Sequence, residues 1–579
     1  MLGLATSVNA PPYSSHRRTR VAAAGVLGLA TVLALAFALD LGRADFWDPG
    51  ESRYVETVRE MMVTGNWLDP TLNFLPYYDK PPGYLWLVGA AFEVFGRNEW
   101  AARLPSVAAA VLTIALVVVF AWRRLGPRAA LGAGVVLATT IQFVVLGRSV
   151  RMDMVLTLLT TATLLQAFVL WERRDTTSAE ESRATWPLYV FPAAGLLVKG
   201  PVAVLLPALI VIAFLLATRT RFRPQHVRPG IGALLALTLI AVWYTSQAIR
   251  APDYLWTFLW QHNFGRFFGR SLAGHREPIW YYLWILPVTF LPWTLFIPGA
   301  LRYGRHRAQR GDRLASFLLA WCIVPFVFFS ISRAKLATYL LPIFPALALL
   351  VAAYLDRVLR APAAVHARAL RVPALAWMVG MAIIALGIPI GVAFAYPAFA
   401  RFGLPALLLA VFPLLGRQAF RQGQWRTAPT LIGAAALATQ VLFYRVGTPV
   451  VNEFSSLRTA AEIAQDLPAA AAVYAYKTRG HSFTFYSGRS LGSLRSPTVA
   501  AEVLARNEPT ALLVKERHLE QIRQHLSRPV CIWWHGASGR VLLANVPHPH
   551  APNAGRLVPA TDATDDPGAS GAPGDPPRC

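Results

Sequence analysis

Side chains able to move protons or hold phosphate collect in a few short stretches of this chain. Residues 45–54 read Asp-Phe-Trp-Asp-Pro-Gly-Glu-Ser-Arg-Tyr, which puts the carboxylates of Asp48 and Glu51 just ahead of Arg53 and Tyr54. Residues 77–82, Tyr-Tyr-Asp-Lys-Pro-Pro, set Asp79 beside Lys80. Further along come Arg148, Arg151 and Asp153, then Lys199, then His262, Arg266, Arg270, His275 and Arg276, and last Arg333, Lys335 and Tyr339. A carboxylate suits removal of a proton from an attacking hydroxyl. Fixed lysine and arginine charges suit a leaving group that departs as an anion. There is no P-loop and no glycine-rich dinucleotide loop, which agrees with a phosphate that is not a nucleotide's. No Cys/His spacing fits a structural zinc site. Of the three cysteines, Cys322 lies in an apolar run and reads as packing, and Cys531 is expected as a free thiol rather than bonded to Cys579 in the polar tail.

Each residue also has a plainer reading. Asp48 and Glu51 could be solvated loop charges, Arg151 and Asp153 a structural ion pair, and His262 and His275 satisfied loop histidines. Lys199 could reach up to lipid headgroups along its aliphatic stem, and Arg266 and Arg270 could meet anionic lipid. The case for chemistry rests on all of them falling on one side of a membrane.

That side follows from the elements between them. Only 15% of the 579 residues are charged, and the mean hydropathy is +0.43. Apolar runs of bilayer-crossing length recur throughout. The net charge of +25 comes from arginine clusters in short connectors, which is the cytoplasmic signature of membrane proteins rather than a nucleic-acid groove; no nucleic-acid partner is expected. With those connectors inside, the chain crosses thirteen times, near 21–41, 104–122, 130–147, 153–171, 186–198, 201–217, 230–250, 279–300, 314–331, 337–355, 372–396, 403–416 and 428–448. The expected class is an all-α polytopic membrane domain with a small C-terminal α/β domain. Residues 1–20 form a cytoplasmic N-terminus, 21–448 the membrane domain with its first outside loop at 42–103, 449–548 the α/β domain, and 549–579 a disordered tail.

Within the first loop, 51–62 reads as an amphipathic helix on the membrane surface, with its charges turned away from Tyr54, Val58 and Met61. Residues 83–95 are too short to cross and read as interfacial or re-entrant. In the last domain, 473–476, 483–486, 511–514, 531–534 and 541–546 read as strands, and 457–466, 498–505 and 517–526 as helices. No internal repeat is visible, and the charges sit at span edges rather than at the midplane, unlike a secondary transporter.

The runs WDPGESRYVETVREMMVTGNW (47–67), LPYYDKPPGYLWL (75–87), NEWAARLPS (98–106), GRSVRMDM (147–154), LLVKGPVAVLLP (196–207), HNFGRF (262–267) and SRAKLATYLLP (332–342) occur in that order. Together they resemble glycosyltransferase family 39, which has the C-type membrane glycosyltransferase fold and includes bacterial lipid A aminoarabinose transferases and protein O-mannosyltransferases. The resemblance implies transfer of a sugar from a polyprenyl-phosphate donor to a lipid, protein or glycan acceptor on the outer face of the bacterial inner membrane, with inversion at the anomeric carbon. It implies Lys80, Arg266 and Tyr339 as contacts to the carrier phosphate, with Lys335 beside them, and Asp153 and Lys199 as polar cavity residues. Tyr54, Asp79, Arg151 and His262 complete the expected lining. The family's acidic pair before Arg-Tyr is Gly50-Glu51 here, so Glu51 is expected as the acceptor-activating carboxylate, with Asp48 substituting for the missing aspartate and Asp153 as a third catalytic carboxylate. No cofactor is implied beyond a divalent metal at Asp79. The alternatives are a lipid-linked sugar transporter or flippase, or a noncatalytic membrane scaffold, which Gly50 keeps open.

Overall fold

The computed structural model describes residues 37–77, 79–173, 185–221, 230–268, 276–548 and 557–558. Eight of its helices are long and apolar enough to cross a bilayer, or ten if each of two bent pairs is one crossing. Against the thirteen crossings expected, the other three segments are the shorter apolar helices Pro187–Lys199 and Val202–Thr218 and the run 21–41, which falls largely outside the described residues. Gly83–Phe95 is a 13-residue apolar helix.

The sequence sets these helices locally. Glu99–Arg124 begins at Asn98, whose side chain accepts from the Ala101 amide at 2.9 Å. It carries Glu99 in its first turn and Arg123 and Arg124 in its last, so cap and charges both oppose the helix dipole. Met152–Glu172 carries Asp153 in its first turn. At 1.5 Å per residue it separates Asp153 from Glu172 by roughly 30 Å, the thickness of a hydrocarbon core.

The two bent pairs are Pro127–Thr139 with Ile141–Gly147, bent by 67°, and Tyr281–Thr289 with Trp293–Gln309, bent by 112°. A broken helix leaves backbone groups that lipid cannot satisfy, and here each break serves the other. The Ile141 amide donates to the Leu291 carbonyl at 3.0 Å, and the Trp293 indole donates to the Thr139 hydroxyl at 2.9 Å. Gln440 closes the site by donating to the Thr139 carbonyl at 3.2 Å.

Arginine-rich connectors meet at the end of the bundle remote from Asp153. Arg124 pairs with Glu172, Arg313 donates to the Thr218 carbonyl at 3.0 Å, and Arg426 donates to the Ala361 carbonyl.

At the opposite end lies the first loop. Its helix Ser52–Thr64 buries its charged face as well as its apolar one: Glu56, Arg59 and Glu60 are all buried. Arg59 pairs with Glu56 at 2.7 Å. Glu60 accepts from the Thr71 hydroxyl and the Phe74 amide in the hairpin of β1 (Thr71–Leu72) and β2 (Leu75–Pro76). The expected solvated face is thus covered by that hairpin and by the packed helix His481–Ser487.

The helix that reaches Ser455 leads, past residue 448, into a six-stranded sheet. Its strands are β3 (Ala472–Tyr476), β4 (Gly492–Leu494), β5 (Thr510–Lys515), β6 (Val530–His535), β7 (Arg540–Ala544) and β8 (Leu557–Val558), in the order β4-β3-β5-β7-β6-β8. β3 is parallel to both β4 and β5. Alternation along β5 gives Ala511 and Leu513 to one core and Leu512 and Val514 to the other, as expected of a strand covered on both faces. Residues 483–486 are helical where a strand was expected: Phe483 packs into the sheet's core while Phe485 and Tyr486 pack against the membrane domain, so aromatics serving two cores imitate strand alternation. Most of the tail 549–579 lies outside the described residues, but Leu557 and Val558 pair with Cys531 and Val530. Cys531 is disulfide-bonded, not the free thiol expected.

Candidate functional site: a cation-lined cavity at one end of the bundle

A cavity of about 230 Å³ is lined by Lys80, Asp153, Lys199, His262, Asn263 and Tyr339, with an apolar wall that includes Phe264, Phe267, Phe328 and Phe329. Five elements far apart in sequence deliver these groups. Lys80 comes from the turn before Gly83–Phe95, and Asp153 from the first turn of Met152–Glu172. Lys199 ends Pro187–Lys199, where a cation is favoured by the helix dipole. The chain reverses at Gly200, with φ +93° and the Phe258 ring 2.5 Å from where a Cβ would stand, so only glycine fits. His262 and Asn263 lie in the π-helical turn Thr257–Gly265, a distortion often found where side chains must be re-aimed. Tyr339 comes from the turn Ala337–Ile343.

The ionisable groups are paired across these elements. Lys199 Nζ lies 2.6 Å from Asp153 Oδ1 and 5.1 Å from the centre of the Tyr339 ring. Asp79 Oδ1 is 3.2 Å from His262 Nδ1 and 3.9 Å from Lys80 Nζ. The Tyr254 hydroxyl donates to the Lys80 carbonyl at 2.6 Å, which fixes the turn. Behind them stand Tyr54 and Tyr77. Burial pushes both phenols up, well up for Tyr77, while Arg53 opposes the shift in each. Both therefore remain neutral hydrogen-bonding groups at neutral pH.

Lys80, Asp153, Lys199, His262 and Tyr339 are thus brought together as the sequence suggested. Asp79 joins through His262, and Tyr54 and Arg151 adjoin Asp153 closely enough to sense its charge. Arg151 and Asp153 do not form the ion pair considered above; Asp153 bonds to Lys199 instead. A Cβ at Gly50 would lie 2.8 Å from Arg151 Nη2, so the arginine fills the space where the family's aspartate is expected. Arg266 follows the π-helical turn, and its side chain, like Arg270 and His275, lies outside the described residues.

Three expected site residues are engaged elsewhere. Glu51, expected as the base, accepts from Arg103 at 2.7 and 3.0 Å and from the Val150 amide at 2.7 Å. Arg103 is 2% exposed and also donates to the Leu41, Ala44 and Asp45 carbonyls. Three of the roughly four lone-pair sites of Glu51 are thereby occupied. Asp48, expected as its substitute, accepts from the Ser482 amide at 3.1 Å and its hydroxyl at 2.6 Å, and from the Ser52 hydroxyl, docking the sheet domain on the first loop. Lys335, expected at the phosphate, donates to the carbonyls of Glu277 and Ser332 and is buried. Asn263 and the phenylalanine wall were not singled out from sequence; their signal is the Asn-Phe and paired Phe residues following His262.

For the divalent metal implied at Asp79, the fit fails among the described residues. Asp79 and His262 supply two donors, no group of three His, Cys, Asp or Glu residues gathers there, and a protein-held divalent cation needs more.

A family model described as dolichyl-phosphate-mannose-protein mannosyltransferase matches residues 79–245. The undecaprenyl phosphate-alpha-4-amino-4-deoxy-L-arabinose arabinosyl transferase of Edwardsiella ictaluri is 32% identical over 430 residues, covering 72% of this chain and 76% of that protein. The protein of the same description from Pseudomonas paraeruginosa is 30% identical over 543 residues, covering 89% and 95%. The crystal structure of ArnT from Cupriavidus metallidurans bound to undecaprenyl phosphate superposes with a TM-score of 0.75 at 22% identity, covering 90% of this chain and 98% of that one; it has the same fold.

Proposed function

We infer the chemistry of the cavity from one premise: this chain belongs to the family of the undecaprenyl phosphate-aminoarabinose arabinosyl transferases. It is a multi-pass membrane glycosyltransferase that moves a sugar from a polyprenyl-phosphate donor to a lipid A-like acceptor. The observation that carries our reading of the site is the meeting of Lys80, Lys199 and His262 with an apolar wall in one cavity. The two lysines take the carrier phosphate and the phenylalanines take the first isoprene units. Phe264 and Phe268 are strongly exposed and mark the side on which the tail leaves for lipid.

In the reaction an acceptor oxygen attacks the anomeric carbon and the carrier phosphate departs. Phosphate is a weak base, so its departure needs charge stabilisation more than a proton. Lys80 supplies it directly, with Arg266 as a further contact and Tyr339 as a hydrogen-bond donor. Asp153, bonded to Lys199, holds that ammonium at the phosphate. With Glu51 and Asp48 engaged elsewhere, His262 takes the acceptor proton: Asp79 Oδ1 stands 3.2 Å from its Nδ1, which leaves Nε2 for the cavity.

The arginine-rich connectors set the sidedness. The cavity, the first loop and the sheet domain face the periplasm, and the N-terminus faces the cytosol. Ten crossings among the described residues, the helices Pro187–Lys199 and Val202–Thr218, and residues 21–41 make thirteen. In membranes supplied with undecaprenyl-phosphate-linked sugar and lipid A, Lys80→Gln and Asp153→Asn should each lower transfer at least about a hundredfold with insertion unchanged. Full transfer by both variants would overturn the reading.

A further inference from the structure

A second cavity, of about 500 Å³, lies where the sheet domain meets the first loop, lined by Asp48, Pro49, Lys477, Thr478, Arg479, Ser493, Leu494, Arg495, Lys515 and Arg540. Five of these are cations and one is a carboxylate, Asp48, whose oxygens are taken up by Ser482 and Ser52. Arg540 donates to the Ser455 carbonyl and Lys477 lies over the Tyr476 ring. Among the described residues none of the five has a carboxylate partner. Five like charges set against a single carboxylate repel one another, and a bound anion relieves that repulsion.

The strand order explains how five cations from separate segments meet. Lys477 and Arg479 follow β3, Arg495 follows β4, Lys515 ends β5, and Arg540 begins the antiparallel β7, paired in register with Lys515. All five therefore stand at one edge of the sheet, beyond the carboxyl ends of its parallel strands. After β3 the chain crosses to β4 on one side; β5 lies on the other side of β3. Loops that diverge in this way open a crevice, and ligands of open α/β sheets bind in it. Lys477 holds the left-handed conformation there, at φ +47°, which lysine seldom adopts.

The cavity is one loop away from the transfer site. Asp48 and Pro49 form its wall, and the next residue, Gly50, abuts Arg151 beside Asp153. We propose that this cation pocket is a docking site for the phosphate-bearing headgroup of the lipid acceptor, distinct from the carrier-phosphate cavity and holding the acceptor while a different part of it reaches the donor. The proposal rests on the transferase reading above and adds where the acceptor is held. Free inorganic phosphates share the recognition chemistry, so the test separates the two sources.

The test uses the full chain in detergent micelles, with two independent double variants, Arg479→Gln with Arg495→Gln and Lys477→Gln with Lys515→Gln. Three probes are titrated: bisphosphorylated lipid A, its phosphate-free counterpart, and inorganic pyrophosphate. Wild-type protein should bind the bisphosphorylated lipid at least tenfold more tightly than the phosphate-free one, and pyrophosphate should compete. Each double variant should lose that preference, raise the acceptor KM about tenfold, and leave kcat and undecaprenyl-phosphate binding unchanged. Unchanged lipid affinity and acceptor KM in both variants would overturn the proposal. So would pyrophosphate that binds in the pocket and is not displaced by the bisphosphorylated lipid, which would assign the pocket to a free anion. Pocket-dependent lipid binding by a wild-type chain that transfers no sugar would sink the transferase reading while supporting the pocket.

Discussion

Replacing Glu51 by glutamine separates a structural carboxylate from a catalytic one. Glu51 and Arg103 form a two-point ion pair, with Arg103 2% exposed and its remaining donors on three carbonyls. Glutamine keeps the shape but removes the charge and turns an amide donor toward the guanidinium or the Val150 amide. Breaking a buried pair on one side costs about 3–5 kcal/mol, and 4 kcal/mol is nearly a thousandfold in the ratio of folded to unfolded protein. A general base contributes about 10²–10⁴ to rate and little to stability. The expected outcome is therefore a lower apparent unfolding temperature in detergent and less folded protein, with transfer per folded molecule within about threefold of wild type. Arg103→Met should destabilise similarly, and the double variant Glu51→Gln with Arg103→Met should lose less than the two single losses added, because neither partner is left charged and alone. The measurements are dye-free thermal unfolding and single-turnover transfer normalised to folded protein. A Glu51→Gln protein that unfolds at the wild-type temperature but transfers a hundredfold more slowly would refute the structural assignment and return the base to Glu51.

Lys199→Met should leave Asp153 charged without its ammonium partner at 2.6 Å; transfer should fall by at least about a hundredfold, and Lys199→Arg should recover part of it in the same assay. Gly83→Ala puts a methyl 2.7 Å from the Leu197 carbonyl oxygen, so it should force the helix Gly83–Phe95 away from Pro187–Lys199 and cost about 1–3 kcal/mol, read as a lowered unfolding temperature. Burial holds the His481 imidazole below its ordinary value. The neutral form is thus favoured in the folded protein, and the stability it contributes is present above about pH 6.5 and lost as pH falls from there toward the folded value. Exchange of the 481–487 amides, corrected for intrinsic rate, should rise between pH 7 and pH 5 in the wild type and rise less in His481→Gln.

Legibility in the sequence divides along contact range. Apolar runs and caps are local, so helices such as Glu99–Arg124 and Met152–Glu172 could be read directly. The cavity's Lys80, Asp153, Lys199 and His262 were legible because ionisable side chains at the edge of an apolar run are conspicuous, and Tyr339 through the family resemblance of the 332–342 run. Partners were not. Glu51 and Arg103 are 52 residues apart, and Asp48 and Ser482 are 434 apart; no spacing rule links them, so two carboxylates free in the sequence are engaged in the fold. Lys335 looked like a phosphate ligand because two carbonyls can hold an ammonium without leaving any mark in composition. The cation pocket did leave a mark, a lysine directly after two of the expected strands, at 477 and 515, but its meaning depends on strand order, which periodicity does not give.

The paired helix breaks have a consequence for biogenesis. Thr139 and Trp293 are 154 residues apart, so the first break enters the bilayer long before the segment that caps it has been synthesised. Until the second kink emerges, the Ile141 amide has only water or headgroups to bond, and the half-made protein must keep that stretch near the interface. Arrested chains ending before residue 281 should therefore hold 127–147 accessible to water-soluble thiol probes at introduced cysteines, and chains extended past residue 309 should bury it.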